Sequence, residues 1–370
     1  MTSAVAALPA FYAVTGPGPL DAPQPRRDIA VRTRVRALDK MLKEALVTSA
    51  ATGVTWRMLS DEGDYLAGTD LAPPPLGFFA AGAAAANADA ICALARDRQI
   101  ALPGLRITQD TYYTMEGSAL RGTMVGGALP PELLVEADVP EATLRPLVTA
   151  AVDTTPYSGL LHGAQDGHFA LVLNGVAVDV GRVRPHAGPA MPDPAGSFDR
   201  LAPTLTDGQL LTKVPEASQP KGEASSSLRA EQSRKLHVRA VCTVREDGVR
   251  VIDHYLFQPA GSHFRLLADH AGRAPDAATY LSAGLGFCYM TQIGRYAKIT
   301  KRALGGYRIV QDTHFGPGSA DPVQTHVFLD LPDGPDAARQ MVDMGEQTCF
   351  LHAACRTDLR MTVRVTGRAA

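Results

Sequence analysis

The chain has 370 residues, 45% of them apolar, and a formal charge of −2 from 36 basic and 38 acidic side chains. That length fits two or three domains with ordinary cores. The charges are mixed in sign with no basic block, which leaves no electrostatic footprint for nucleic acid, and no run of 18 apolar residues marks a membrane span. Residues 1–10 are apolar but lack a basic head, so they do not read as a signal peptide. Five cysteines (Cys92, Cys242, Cys288, Cys349 and Cys355) are sparse and odd in number, which fits free thiols in a reducing cytoplasm.

In chain order, residues 1–28 carry Gly-Pro-Gly-Pro and two further prolines and read as an irregular arm. Residues 29–38 alternate apolar side chains with Arg32, Arg34 and Arg36, a strand pattern. Short strands follow at 54–58 and 65–66. The proline run at 73–75 then leads into an Ala-rich helix over 77–98, apolar enough on all sides to be buried. Strands at 105–113 and 134–137, a helix over 140–152 and a hairpin around Asn174-Gly175 complete this half. Residues 182–227 are rich in Pro, Gly, Ser and Asp and read as a connector. Beyond it come strands at 235–243 and 249–257, a long helix over 277–300 and strands at 307–313 and 325–331. A helix from Pro332 through Cys349 and a strand at 360–365 close the chain.

The two halves repeat each other. Shifted by 202 positions, residues 274–313 lie on 72–111 without a gap and with 14 identities, ending at Gln109-Asp110-Thr111 and Gln311-Asp312-Thr313. Self-similarity of this kind predicts an internal duplication. The predicted domains are an arm at 1–28, a first copy at 29–182, a connector at 183–228 and a second copy at 229–370. In each copy the order is strands, buried helix, strands, second helix and strand, which is α+β rather than alternating β/α. One difference bears on chemistry: Cys288 in the second copy is Ala86 in the first. The Gln-Asp-Thr strip occurs in both copies, with and without the thiol, so structural duty at a strand end explains it better than catalysis.

The stretch Ala-Pro, then Tyr-Leu-Ser-Ala-Gly-Leu-Gly-Phe-Cys at 280–288, is followed about sixty residues on by Cys349, in a helix after Leu-Pro-Asp. This pattern resembles the OsmC family, which includes the organic hydroperoxide resistance proteins. The resemblance spans about 235–368 in full and about 30–180 as a degenerate copy with Ala86 and Thr155-Pro156 at the two cysteine positions. It implies two OsmC-like domains, antiparallel sheets around a long buried helix, joined as an intramolecular pseudo-dimer. It also implies a Cys-based peroxidase in which Cys288 attacks a small apolar organic hydroperoxide and Cys349 resolves the product. A dithiol reductant would close the cycle, with no cofactor, no nucleic acid and no membrane. The particle would be a monomer serving as its own pseudo-dimer, or a homodimer. Two departures stand out. The acidic residue that such peroxidases carry nine or ten positions before the first cysteine is replaced by Thr279 and Ala278, and Phe350 follows Cys349 in place of a proline.

A peroxidatic thiol must be a thiolate with a second thiol in reach. Cys288 lies about three turns into its helix, where the helix dipole helps little, so a cation must come from elsewhere. Arg239, Arg245 and Arg250 are candidates on the opening strands, with Arg34 and Arg36 from the other half. Taken alone, Cys288 would be an inert buried hydrophobe. Cys349 and His352, three residues apart, share a helix face, so His352 can activate Cys349 or join it at a soft metal. Arg239, Tyr280, Phe287 and Phe350 are the expected substrate contacts. Two rival readings use the same fold: a re-purposed Cys/His site, with or without metal, acting on a small metabolite, and a non-catalytic binder of a small ligand.

Overall fold

The Ala- and Gly-rich segments form the two longest helices, α1 (Pro75–Asp97) and, after two shorter ones, α4 (Ala277–Thr300). Pro75 enters α1 at its first turn, where a missing N–H costs nothing. Asp276 caps α4 by accepting from the Thr279 N–H at 2.7 Å, and Lys301 ends it in the left-handed region. The two helices cross where each has a glycine. A Cβ on Gly82 would stand 2.7 Å from the backbone nitrogen of Leu281, and one on Gly284 would stand 2.9 Å from that of Phe79. The Ala-Gly steps at 81–82 and 283–284 therefore let backbone meet backbone.

The structure is a computed structural model that describes residues 9–15, 20–162, 164–199, 202–204, 209–215 and 226–367. The fold is α+β, with two sheets and six α-helices among the described residues. The shorter helices are α2 (Glu141–Val152), α3 (Pro156–His162), α5 (Pro335–Thr348) and α6 (Phe350–Arg356).

Both sheets take strands from either side of the connector. The first runs Ala202–Thr204, Tyr12–Thr15, Thr55–Ser60, Lys43–Ser49, Ile29–Ala37, Gly306–Gly316, Gln324–Asp330, His168–Leu173 and Val176–Val178. The second runs Leu211–Val214, His263–Ala268, Arg250–Gln258, Glu231–Val244, Arg106–Ser118, Val125–Ala137 and Thr362–Gly367. At the middle of each, a strand from one half pairs antiparallel with a strand from the other, Ile29–Ala37 with Gly306–Gly316 and Glu231–Val244 with Arg106–Ser118. An arginine clamps each seam. Arg32 grips Asp312 through two bonds of 2.7 and 2.8 Å, and Arg239 grips Asp110 through two of 2.9 Å. The helices fill the space between. α1 packs on α4 and on Glu231–Val244, and α4 packs on Ile29–Ala37 and Lys43–Ser49.

Several elements differ from the sequence expectation. Lys43–Ser49 is a central strand, wholly buried although it opens on Lys43-Glu44. Residues 65–66 belong to a 3-10 turn, Asp64–Leu66, rather than a strand. Val125–Ala137 runs nine residues earlier than its predicted start and carries Pro130-Pro131 within the strand. The N-terminal arm holds a strand, Tyr12–Thr15, while its residues 1–8 and 16–19 lie outside the described residues. Helix α1 does meet the length and apolarity of a membrane span, against expectation, but its apolarity comes from alanines packed inside the protein.

Candidate active site

The predicted helix through Cys349 is in fact two helices, and Cys349 is the break. Its backbone is extended (φ −75°, ψ 117°) between α5 and α6, so it stands at the N-cap of α6 rather than on a helix face. From there its sulfur receives the His352 backbone N–H, and the His352 Nδ1 lies 3.2 Å from Sγ. The imidazole is wedged between Phe169 and Tyr289, with centroids at 5.8 and 5.3 Å, and its Nε2 has no hydrogen-bond partner among the described residues. That packing fixes which nitrogen faces the sulfur.

Cys288 comes to the same place from α4. Its thiol hydrogen-bonds Cys349, and the Leu351 N–H points at its sulfur. Both sulfurs are buried, with Cys288 2% and Cys349 0% exposed. Burial pushes the Cys288 thiol well up, and the charge on Cys349 pushes it further. Burial opposes ionisation of Cys349 as well, yet the Cys288 thiol and His352 together hold it well below the usual thiol range. The two thiols are thus pushed in opposite directions, Cys288 up and Cys349 down.

A buried cation whose charge interacts with Cys288 is Lys43. It is wholly buried, with its Nζ on the Met41 carbonyl, and burial lowers its pKa while Glu62, Asp61 and Cys288 pull it back up. Glu62 accepts from the Tyr65 hydroxyl at 2.6 Å and from Thr291 at 3.1 Å. Burial lifts its pKa above the ordinary carboxylate range, against the pull of Lys43. Neither residue carried a sequence signal beyond being a charge inside an apolar segment, and the strand that buries Lys43 was not predicted.

The five nominated arginines lie elsewhere. Arg239 is on the outer face of its strand with Asp110, while its neighbours Val238 and Ala240 face inward. Arg34 is held by Asp21, Arg36 by Glu44, Arg245 by Asp247 and Arg250 by Asp89. Of the expected substrate contacts only Phe350 reaches the cavity at Cys288. Tyr280 is committed to the Leu267 carbonyl at 2.6 Å, and Phe287 packs on Phe78 at 5.1 Å.

A narrow cavity of about 30 Å³ opens beside Cys288, lined also by Glu62, Tyr65, Thr291, Gln292, Arg234 and Arg295. It is large enough for one or two waters or a peroxide O–O pair. Among the described residues no three His, Cys, Asp or Glu side chains converge as a metal-ligand set.

No known family profile matches the chain, and no curated protein does. The chain is similar to a solved structure, an OsmC-like hydroperoxide resistance protein from Jannaschia sp. CCS1. The two are 24% identical over a match covering 30% of this chain and 79% of that one, with a TM-score of 0.19.

Proposed function

We propose that the protein is a thiol-dependent peroxidase that reduces small organic hydroperoxides with Cys288 and Cys349. The observation that carries this reading is the hydrogen-bonded thiol pair, one member facing a cavity and the other facing an imidazole. The Cys288 proton passes to the Cys349 thiolate as the Cys288 sulfur attacks the distal peroxide oxygen. The O–O bond breaks, Cys288 becomes a sulfenic acid, and the carboxyl of Glu62, whose pKa burial raises, hands the leaving alkoxide the proton that makes it the alcohol. Cys349 then attacks the sulfenic sulfur, its proton leaves with the hydroxide as water, and a disulfide remains. Two thiols have supplied the two electrons. A dithiol reductant restores them, in a compartment reducing enough to keep all five cysteines free.

The same reading takes the chain as two tandem copies forming a pseudo-dimer within one polypeptide. Its support is the repeated seam, Arg32 on Asp312 and Arg239 on Asp110, and the glycine crossing of α1 and α4. Register extends it: Ala37 opposes Lys43 in one sheet as Val244 opposes Arg250 in the other. In this reading Glu62 takes the part of the missing acid, and Lys43 supplies a buried cation.

The test is a thiol count on the reduced protein before and after one equivalent of cumene hydroperoxide, with peptide mapping. Two thiols should disappear, at Cys288 and Cys349, and return with a dithiol. Unchanged thiols at excess peroxide would refute the peroxidase.

A further inference from the structure

Two hydroxyls hold the carboxyl of Glu62, and they lead in different directions. Its Oε2 accepts from the Tyr65 hydroxyl at 2.6 Å, and its Oε1 accepts from the Thr291 hydroxyl at 3.1 Å. Tyr65 belongs to the same stretch of chain as Glu62, in the 3-10 turn that follows it. Thr291 comes from α4, three residues after Cys288 and on the same helix face. Glu62, Tyr65, Cys288 and Thr291 all line the cavity of about 30 Å³. The Thr291 hydroxyl is also turned away from its own helix. A threonine inside a helix can satisfy its hydroxyl on the carbonyl four residues back, as Thr300 does on Tyr296 at 2.8 Å and Thr348 on Met344 at 2.6 Å. Thr291, only 3% exposed, reaches across to Glu62 instead.

The other charged groups nearby are bonded elsewhere. Asp61 accepts from the N–H groups of Glu62, Thr69 and Leu71 at 2.8, 3.0 and 3.2 Å, which fixes the loop that presents Glu62. Lys43 holds the Met41 carbonyl, Arg295 donates to the Ser227 carbonyl at 2.7 Å and to Gln292 at 3.3 Å, and Arg234 holds the Ser227 hydroxyl. Among the described residues, Tyr65 and Thr291 are the hydrogen-bond donors on the Glu62 oxygens. A proton that leaves this carboxyl along a bond already made passes through one of those two hydroxyls, and only that of Thr291 leads toward the Cys288 sulfur.

We propose that Thr291 is a proton relay between Glu62 and the oxygen that leaves the peroxide at Cys288. Its Oγ1 takes the proton of the Glu62 carboxyl while its own proton passes to the leaving alkoxide. Glu62 ends as a carboxylate, Thr291 is neutral before and after, and the alkoxide becomes the alcohol. The two electrons that break the O–O bond are those of the Cys288 sulfur, so the relay moves protons alone. This deepens the peroxidase reading and rests on it, since the relay has no task without a peroxide at Cys288.

Two oxidants of nearly the same size separate a relay from a merely structural hydroxyl. Ethyl hydroperoxide releases an alkoxide, which needs a proton as it leaves, whereas peracetic acid releases acetate, which does not. Loss of the Cys288 thiol in the reduced full-length protein is followed by rapid quenching with an alkylating agent and peptide mapping. Thr291→Val keeps the shape and removes the hydroxyl. It should lower the ratio of the ethyl hydroperoxide rate to the peracetic acid rate at least about tenfold, the low end of what a lost proton transfer costs. Thr291→Ser should restore most of that ratio. Glu62→Gln should lower it as Thr291→Val does, and the double variant no further, as expected of two residues on one path. Thr291→Ala takes the place of Thr291→Val if the latter fails to fold. An unchanged ratio, equal slowing with both oxidants, no recovery in Thr291→Ser, or losses that add in the double variant would each overturn the relay and leave the peroxidase standing. A Cys288 thiol that ignores ethyl hydroperoxide in the unaltered protein would overturn both.

Discussion

Taken as the two copies proposed above, the thiol corner and its counterpart across the molecule share one frame and hold different chemistry. Cys349 stands between α5 and α6, and Thr155 stands between α2 and α3, where its hydroxyl accepts from the Tyr157 N–H at 3.3 Å. Cys288 on α4 answers to Ala86 on α1. Lys43 holds the Met41 carbonyl and lies in the field of Glu62 and Asp61, while Arg250, at the matching register, is tied to Asp89 at 2.6 Å. The difference shows how such a frame gains or loses reactivity. A cap position accepts a hydroxyl or a thiol equally well as geometry. What changes is the group at the cap, a thiol beside an imidazole in one place and a hydroxyl in the other.

Breaking the comparison at the sulfur itself has the largest effect. Cys349→Ser should lower peroxide turnover by at least about a thousandfold, because without a resolving partner the cycle stops, whereas Thr155→Ser should leave turnover unchanged. Steady-state consumption of cumene hydroperoxide with a dithiol reads both. Next comes the shared frame. Gly284→Val places methyl groups where the backbone of α1 lies 2.9 Å from a Cβ, and should destabilise the protein by about 3 kcal/mol in denaturant titration. A stability unchanged by that substitution would mean that the helices do not cross there.

The cation comes third. Lys43→Met should slow Cys288 oxidation by about tenfold and move the pH midpoint of thiol alkylation upward, since the Lys43 charge and a Cys288 thiolate stabilise each other. Arg250→Met should leave that midpoint where it is. The fourth concerns His254 and is felt only at acid pH. It is fully buried against Gly77, with both ring nitrogens unpartnered among the described residues, and burial pulls its pKa down to about 3. The native state holds it neutral while the unfolded chain protonates it near 6.5. The neutral fold is therefore fully favoured above pH 6.5 and loses about 1.4 kcal/mol per pH unit below it, toward pH 3. His254→Leu should remove that slope from the acid side of the stability curve. An identical slope in the variant would assign the acid loss to other groups.

The sequence shows the frame more clearly than the site. The helix at Ala277–Thr300 is as predicted, because its periodic apolar content and its Asp276 cap act within one segment. Position 288 is equally readable, since a cysteine that replaces an alanine in a repeat marks a change of use. The charges around it are not readable. Lys43-Glu44 looks like solvent-facing polarity until the strand is placed between two others, and only tertiary pairing buries it. The break at Cys349 is hidden for a similar reason. Nothing local stops α5 at Thr348, where Gly126 of a distant strand packs with no room for a Cβ against the Thr348 backbone. Arg239 is a candidate by its place on an opening strand, but strand alternation turns it outward and brings Arg234, five residues earlier, to the cavity.

The seams also dictate the order in which the molecule can be completed during synthesis. When the first half has left the ribosome, Ile29–Ala37 and Arg106–Ser118 each still lack one neighbour, because Gly306–Gly316 and Glu231–Val244 have yet to be made. Val125–Ala137 and His168–Leu173 also await Thr362–Gly367 and Gln324–Asp330, so several open edges and the bare glycine face of α1 wait on a nascent chain, in the form most prone to pairing with a stranger. Neither half closes without the other, so the protein finishes folding only after its last strands emerge, and a chaperone that shelters those edges has its work set by the topology.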